Sequence, residues 1–188
     1  MTRHDKMKEG CINGEKLYLR PISAADTELM VGWRNQPQIM AISINRRPFD
    51  ENGHRKWLAT MVETGKAVQF IIVEKATARP IGSCYLRDID QRQKAAQFGL
   101  FIAEADAQGQ GFGTECSRLL MEHAFETLLL NRLYLYVLAK NTAAIRLYEK
   151  LGFCRAASQE IDTLPEGATE DVVLMSCSPT GKGKHPCY

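Results

Sequence analysis

From Lys16 to Ile22 apolar and polar residues alternate, the two-residue period of a strand with one buried face. Ser23 to Asp26 then offers N-cap residues for a helix running through Trp33. Pro37 and Arg46-Arg47-Pro48 mark a loop, and Asp50 caps a second helix carrying His54, Trp57, Leu58 and Met61, so two short helices follow the first strand. Val68 to Glu74 and Ile81 to Ile89 are β-branched or apolar runs joined through Ala78-Arg79-Pro80, which predicts a hairpin. Gln91-Arg92-Gln93 reads as the next turn and Ala95 to Ala103 as the next strand. The period then changes. Phe112, Cys116, Leu119, Leu120, Ala124 and Leu128 recur as one face of a helix. Arg132 to Leu138 alternates into another strand, and Asn141 to Leu151 predicts a helix that Gly152 ends. Phe153 to Ile161 and Asp171 to Cys177 are expected to pair across the Pro165-Glu166-Gly167 loop.

Strands and helices in this mixed order predict an α/β or α+β layer structure around one central sheet. At 188 residues the chain suits a single domain. That domain is expected over 16–178, between an N-terminal extension (1–15) and a flexible tail (179–188) rich in Pro, Gly and Lys. Apolar residues make up 45% and charged residues 24%, ordinary values for a globular protein. No apolar run approaches the roughly 18 residues of a membrane span, and the N-terminus does not lead into a signal-peptide core. A cytoplasmic location with no membrane partner is therefore expected. The six cysteines form no C-x-x-C pair and do not cluster with histidines, so neither a metal site nor a redox dithiol is predicted. A net charge of +2 is too small to imply nucleic acid.

The chemistry starts at Gln108-Gly109-Gln110-Gly111-Phe112-Gly113-Thr114, just ahead of the 3.6-period helix. Glycine admits positive φ and lets backbone approach a ligand closely, so successive N–H groups can converge at the helix N-terminus on a phosphate. A plain Gly-rich turn between strand and helix is the alternative. Two better-known phosphate loops are excluded. A Walker loop needs Lys and Ser/Thr after its last Gly, where Thr114-Glu115 stands, and a dinucleotide fingerprint needs G-x-G-x-x-G, where the spacing is G-x-G-x-G.

Gln108, Gly111 and Gly113 match a Gln/Arg-x-x-Gly-x-Gly/Ala signature, and Asn141, Ala144, Tyr148, Gly152 and Phe153 match its downstream partner, Asn-x-x-Ala-x-x-x-Tyr-x-x-x-Gly-Phe. In both motifs and their separation the chain resembles the Gcn5-related N-acetyltransferase (GNAT) family over residues 16–178. The resemblance implies a mixed, mostly antiparallel central sheet of about seven strands flanked by about four helices. It also implies acetyl-CoA as acyl-donor substrate, no metal, a small-molecule amine acceptor and a possible homodimer.

Three requirements follow: holding an acyl thioester, presenting a neutral amine and stabilising the leaving thiolate. By the resemblance, backbone N–H groups from Gln108 to Thr114 surround the coenzyme A pyrophosphate, aided by the positive end of the helix. Main chain at Phe101, Ile102 and Ala103 pairs with the pantetheine arm, and the thioester lies where two neighbouring strands splay apart. Asn141 resembles the family's polar contact to that arm, and it is equally suited to capping the helix starting at Thr142. Tyr148 is expected to protonate the sulfur as the tetrahedral intermediate collapses; packing in the core is its alternative role. Many relatives carry Glu on the strand before the loop, where this chain has Gln97 in Ala96-Gln97-Phe98-Gly99. Glutamine is no base. The amine proton is left to water or to Asp90, Asp88, His54 or Glu104, with Asp90 and His54 entering the candidate catalytic set beside Tyr148.

The acceptor is read from the first half of the chain. Trp33-Arg34-Asn35 and His54-x-x-Trp57 resemble the subgroup of ribosomal-protein alanine acetyltransferases and nucleotide-sugar amino acetyltransferases, most nearly the pseudaminic acid pathway enzyme. Trp33, Arg34, Asn35, Trp57 and Gln97 are thus the expected acceptor-binding residues, arginine gripping phosphate and tryptophan stacking on a ring. Between 27 and 57 stand Glu28, Asp50 and Glu51 against Arg34, Arg46, Arg47, Arg55 and Lys56, a balance favouring an anionic acceptor such as a nucleotide-linked amino sugar. A polyamine, an aminoglycoside or a protein N-terminus remain alternatives, as does a non-catalytic acetyl-CoA sensor.

Overall fold

A computed structural model describes residues 10–156 and 171–179. Eight strands form one sheet in the order β1-β2-β3-β4-β5-β6-β8-β7. They are β1 (Ile12–Asn13), β2 (Leu17–Pro21), β3 (Val68–Glu74), β4 (Pro80–Asp90), β5 (Ala95–Ile102), β6 (Arg132–Leu138), β7 (Cys154–Arg155) and β8 (Val172–Cys177). Every neighbouring pair is antiparallel except β5 with β6. The sheet is therefore mixed and mostly antiparallel, as the resemblance implied. Residues 12 and 13, in the segment read as an extension, pair with β2. The Pro165-Glu166-Gly167 loop and the tail from residue 180 on lie outside the described residues.

Three helices, α1 (Thr27–Arg34), α2 (Pro37–Ile42) and α3 (Glu51–Trp57), follow β2, where two were expected. Pro37 had marked a loop, but it occupies the first turn of α2, where its missing N–H costs nothing and its fixed φ suits the helix. Asp50 does cap α3, its Oδ1 accepting from Gly53 N at 2.6 Å. Two further helices, α4 (Phe112–Glu122) and α5 (Thr142–Lys150), follow β5 and β6. Gly152, with φ +91°, ends the segment after α5 in the left-handed conformation.

The period-two pattern divides the sheet between two cores. One face carries Leu17, Leu19, Ile72, Leu86, Phe98 and Leu133 against Phe112, Cys116 and Leu120 of α4 and Ile145 of α5. The other carries Ile71, Val73 and Phe101 against Met30 and Trp33 of α1, Ile39 of α2 and Leu58. Each fully buried large apolar side chain contributes roughly 1.5–3 kcal/mol. Free cysteines 84, 116 and 177 are buried and Cys11 partly so, consistent with small apolar packing residues.

Two irregularities shape the sheet. On β4, Arg87 pairs Gln97 and Asp90 pairs Ala95, so Asp88 and Ile89 bulge opposite Ala96, and Asp88 takes φ +53°. Between β5 and β6 the parallel pairing covers only Ala95 with Arg132, Ala96 with Leu133 and Gln97 with Tyr134, after which both strands run on unpaired to each other.

Candidate active site

That fork opens a cleft of about 780 Å³ between the strands and the 42–45 segment after α2. Phe98 to Ile102 line it from β5, Tyr134, Tyr136 and Val137 from β6, and Tyr85, Arg87 and Asp88 from β4. Asn141, Ala144, Leu147 and Tyr148 close it from α5, and Arg34 reaches in from α1.

At one mouth stands the glycine turn. Gly109 (φ +74°) and Gly111 (φ +89°) are left-handed, a conformation that costs other residues energy. A Cβ at either would project into open space rather than into protein. Gly111 is the N-cap of α4, and Glu115 is bonded back to its carbonyl at 3.1 Å, leaving the N–H groups of Phe112, Gly113 and Thr114 without intrahelical acceptors. The turn thus has the room, the donors and the positive helix end that a pyrophosphate needs. Gly113 has ordinary helical φ and lies beside Leu147 at packing distance. The side chains of Gln108 and Gln110 fold back, donating to Ile102 O and Asp106 O. Phe101 and Ile102 line the cleft, while Ala103 is buried next to them and bonded to Ile81 O at 2.8 Å.

Asn141 takes the capping role, its Oδ1 accepting from Ala144 N at 3.2 Å at the start of α5, and the residue also lines the cleft. Tyr148, on the same helix, is 8% exposed and packs edge-on against Phe98 at 6.1 Å. Burial pushes its phenol well above the ordinary tyrosine range, and its hydroxyl bonds to no described residue. It is a buried, protonated donor at the fork.

The groups weighed as base are scattered. His54 is wholly buried, its Nδ1 3.0 Å from Thr27 Oγ1 and its ring edge-on to Phe49, away from the cleft. It had entered the candidate catalytic set, yet it faces α1 and belongs to the packing of α3. Asp90 is likewise a turn residue, accepting from Arg92 N at 2.7 Å and Gln93 N at 2.9 Å, bonds that hold its carboxyl below the usual range. Glu104 accepts from Trp33 Nε1 at 2.9 Å. Asp88 alone of the four lines the cleft, turned there by the β4 bulge.

Of the five expected acceptor residues, Arg34 and Gln97 line the cleft and three do not. Trp33, 3% exposed, packs on Phe101, and Trp57 Nε1 donates to Gln69 Oε1 at 2.8 Å, which in turn bonds Ser83. Both indoles are satisfied anchors of their helices rather than stacking platforms. Asn35 clamps Phe49, donating to its O at 2.7 Å and accepting from its N at 2.9 Å. Arg34 lies over the Phe49 ring at 5.4 Å and makes no ion pair with any described residue.

Sequence reasoning overlooked Tyr85, Arg87, Tyr134 and Tyr136. The signal was present. In Arg132–Leu138 the buried Leu133, Leu135 and Val137 alternate with the two tyrosines, so both tyrosines share the opposite, cleft-facing side. Among the described residues no group of acidic, His or Cys side chains is arranged for a metal, and no helix is long and apolar enough to cross a membrane.

Relatives fit this geometry. An uncharacterised N-acetyltransferase, p20, from Bacillus licheniformis is 27% identical over 166 residues, covering 86% of this chain and 92% of that one. A spermidine N(1)-acetyltransferase from Vibrio cholerae is 26% identical over 160 residues, covering 85% and 91%. The fold is shared with the crystal structure of Vibrio cholerae spermidine N-acetyltransferase in complex with CoA and spermine, at a TM-score of 0.76 and 23% identity over 88% of this chain and 96% of that one. The acetyltransferase (GNAT) domain description matches residues 16–154. That span holds the glycine turn, the fork and Tyr148, and by it the chain belongs to the GNAT family as an N-acetyltransferase that draws on acetyl-CoA.

Proposed function

We propose that this protein acetylates the primary amine of a small acceptor carrying an anionic group, such as a nucleotide-linked amino sugar. The observation carrying this reading is Arg34. Its guanidinium is half-buried at the cleft without an acidic partner among the described residues, and burial, followed by the charge of Arg87, disfavours its charged form. Desolvating a cation and setting it near a second one is unfavourable unless an anion arrives to relieve both. A phosphate or carboxylate on the acceptor is such an anion, and a guanidinium fork suits it. Of the Trp-Arg-Asn and His-x-x-Trp patterns that resemble the nucleotide-sugar subgroup, Arg34 is the residue that lines the cleft.

In this reading the donor's pyrophosphate rests on the glycine turn and its pantetheine arm lies along Phe101 and Ile102, with Asn141 at its side. The amine nitrogen bonds to the acyl carbon, the carbon–sulfur bond breaks, and the Tyr148 hydroxyl gives its proton to the departing sulfur. Gln97 takes no proton. The amine proton leaves through water towards Asp88, the cleft's carboxylate among the described residues.

A polyamine acceptor is the second reading, favoured by the similarity to spermidine acetyltransferases. Arg34 and Arg87 against Asp88 make a poor cleft for a polycation. The test is thiol release from acetyl-CoA with spermidine and with a uridine-diphosphate amino sugar. Turnover of the sugar well above spermidine supports the proposal, and the reverse preference overturns it.

A further inference from the structure

We propose that Tyr85 orients the acceptor: its hydroxyl takes a hydrogen bond from the incoming amine at the fork, and residue 99 is glycine so that this hydroxyl can lie there. The inference rests on the acetyltransferase reading of the cleft.

Tyr85 on β4 pairs directly with Gly99 on β5, and Arg87 pairs with Gln97, so all four share one face of the sheet. A Cβ built on Gly99 would stand 2.4 Å from both Cζ and Oη of Tyr85. The phenol end therefore occupies the place of a side chain at position 99, over the main chain of β5. Nothing else requires glycine there, since Gly99 is absent from the left-handed residues. Gln97 is the last β5 residue bonded to β6, so Gly99 is the first on this face beyond the fork.

The hydroxyl has no hydrogen-bond partner among the described residues, although the ring is packed, with the Arg87 guanidinium 5.7 Å from its centroid. Tyr85 lines the same cleft as Tyr148 and Arg34. Its hydroxyl thus shares the space in which the proposed sulfur-side acid and the proposed anion grip act, where the nitrogen has to be. An N–H donated to Oη turns the nitrogen lone pair towards the acyl carbon without moving a proton, an alignment that the carboxylate-free Gln97 leaves to another residue.

An aromatic ring laid over a cross-strand glycine also stabilises a sheet by covering bare backbone. That role needs the ring and not the hydroxyl, so Tyr85→Phe separates the two. With the best acceptor of a panel containing spermidine, 2-aminoethyl phosphate and a uridine-diphosphate amino sugar, Tyr85→Phe is expected to lose about tenfold in acceptor kcat/KM, one hydrogen bond's worth, while acetyl-CoA affinity and Tm stay unchanged. Tyr85→Leu should lower Tm as well. An acceptor kcat/KM within about twofold of the parent's in Tyr85→Phe overturns the proposal, as does an equal loss of donor affinity. If the parent turns over none of the panel, the proposed acceptor class fails on its own account, and binding decides this one. The ring 13C resonance absent from Tyr85→Phe should shift when 2-aminoethyl phosphate or spermidine is added in the presence of CoA; no shift with either overturns it.

Discussion

His54 Nδ1 lies 3.0 Å from Thr27 Oγ1 and joins α3 to α1, while the Thr27 hydroxyl donates to Ala24 O at 2.8 Å. With its proton so engaged, Thr27 offers only a lone pair, so the imidazole carries its hydrogen on Nδ1 and leaves Nε2 buried and without a partner among the described residues. Burial depresses the His54 pKa below its ordinary value, and Asp26 offsets this only in part. The unfolded chain then binds the proton more readily than the folded one. The stability His54 contributes is present above about pH 6.5 and is lost as pH falls from there towards the folded pKa. Tm is expected to drop between pH 8 and pH 5.5, and to drop less in His54→Gln. His123, also depressed by burial, contributes in the same sense. An identical drop in both proteins would remove His54 from the account.

Tyr148→Phe is expected to lower kcat by about 10²-fold, the lower range for a missing general acid, with acetyl-CoA affinity retained. Because the hydroxyl has no described partner, its loss should leave Tm nearly unchanged. Burial keeps the phenol protonated through the neutral range, so any alkaline limb below about pH 9 should persist unchanged in shape in the variant. Steady-state rates across pH check both points, and an unchanged kcat refutes the assignment.

Gly111→Ala and Gly113→Ala should differ. The first puts a side chain at φ +89°, at a cost of roughly 1 kcal/mol, and into the space before the first turn of α4. The second adds a methyl at helical φ, in ordinary contact with Leu147 at 3.6 Å. Calorimetric titration with CoA is expected to show a loss of tenfold or more for Gly111→Ala and a smaller one for Gly113→Ala. Equal affinities would mean that the turn does not carry the pyrophosphate.

Arg34→Met keeps a long side chain over the Phe49 ring and removes the charge. For an anionic acceptor, kcat/KM should fall by about 10–100-fold, the worth of a charged hydrogen bond in a desolvated site. For spermidine it should rise. Competition between the two acceptors measures this directly, and a loss for both alike would make Arg34 a packing residue.

Much of this was legible from residue pattern alone. Val68–Glu74 holds the continuous apolar run Phe70–Val73, buried on both faces of the sheet, Leu133 to Val137 alternate with period two, and Asn141 and Asp50 cap helices as their short polar side chains predict. What failed shares a cause: a polar or aromatic side chain carries one meaning in the sequence and takes another from a partner far along the chain. Trp33 meets Glu104 and Trp57 meets Gln69, so their N–H groups are satisfied within the fold. His54 finds Thr27, 27 residues earlier. Conversely, Tyr85 and Arg87 looked like ordinary strand residues until β4 was set beside Gly99 and Gln97. Pro37 misled because the same ring that breaks a helix interior starts a helix at its first turn.

The fork has a thermodynamic consequence beyond catalysis. From Phe98 to Ile102 the β6 side of β5 presents main-chain groups that no neighbouring strand engages. On the proposed reading the donor's amide-bearing arm fills that gap, so the acyl donor acts as the missing strand of the protein that consumes it. Folding and saturation then become one equilibrium. At a hundredfold excess over Kd, binding adds about 2.7 kcal/mol to the native state, and the melting temperature becomes a gauge of how full the site is.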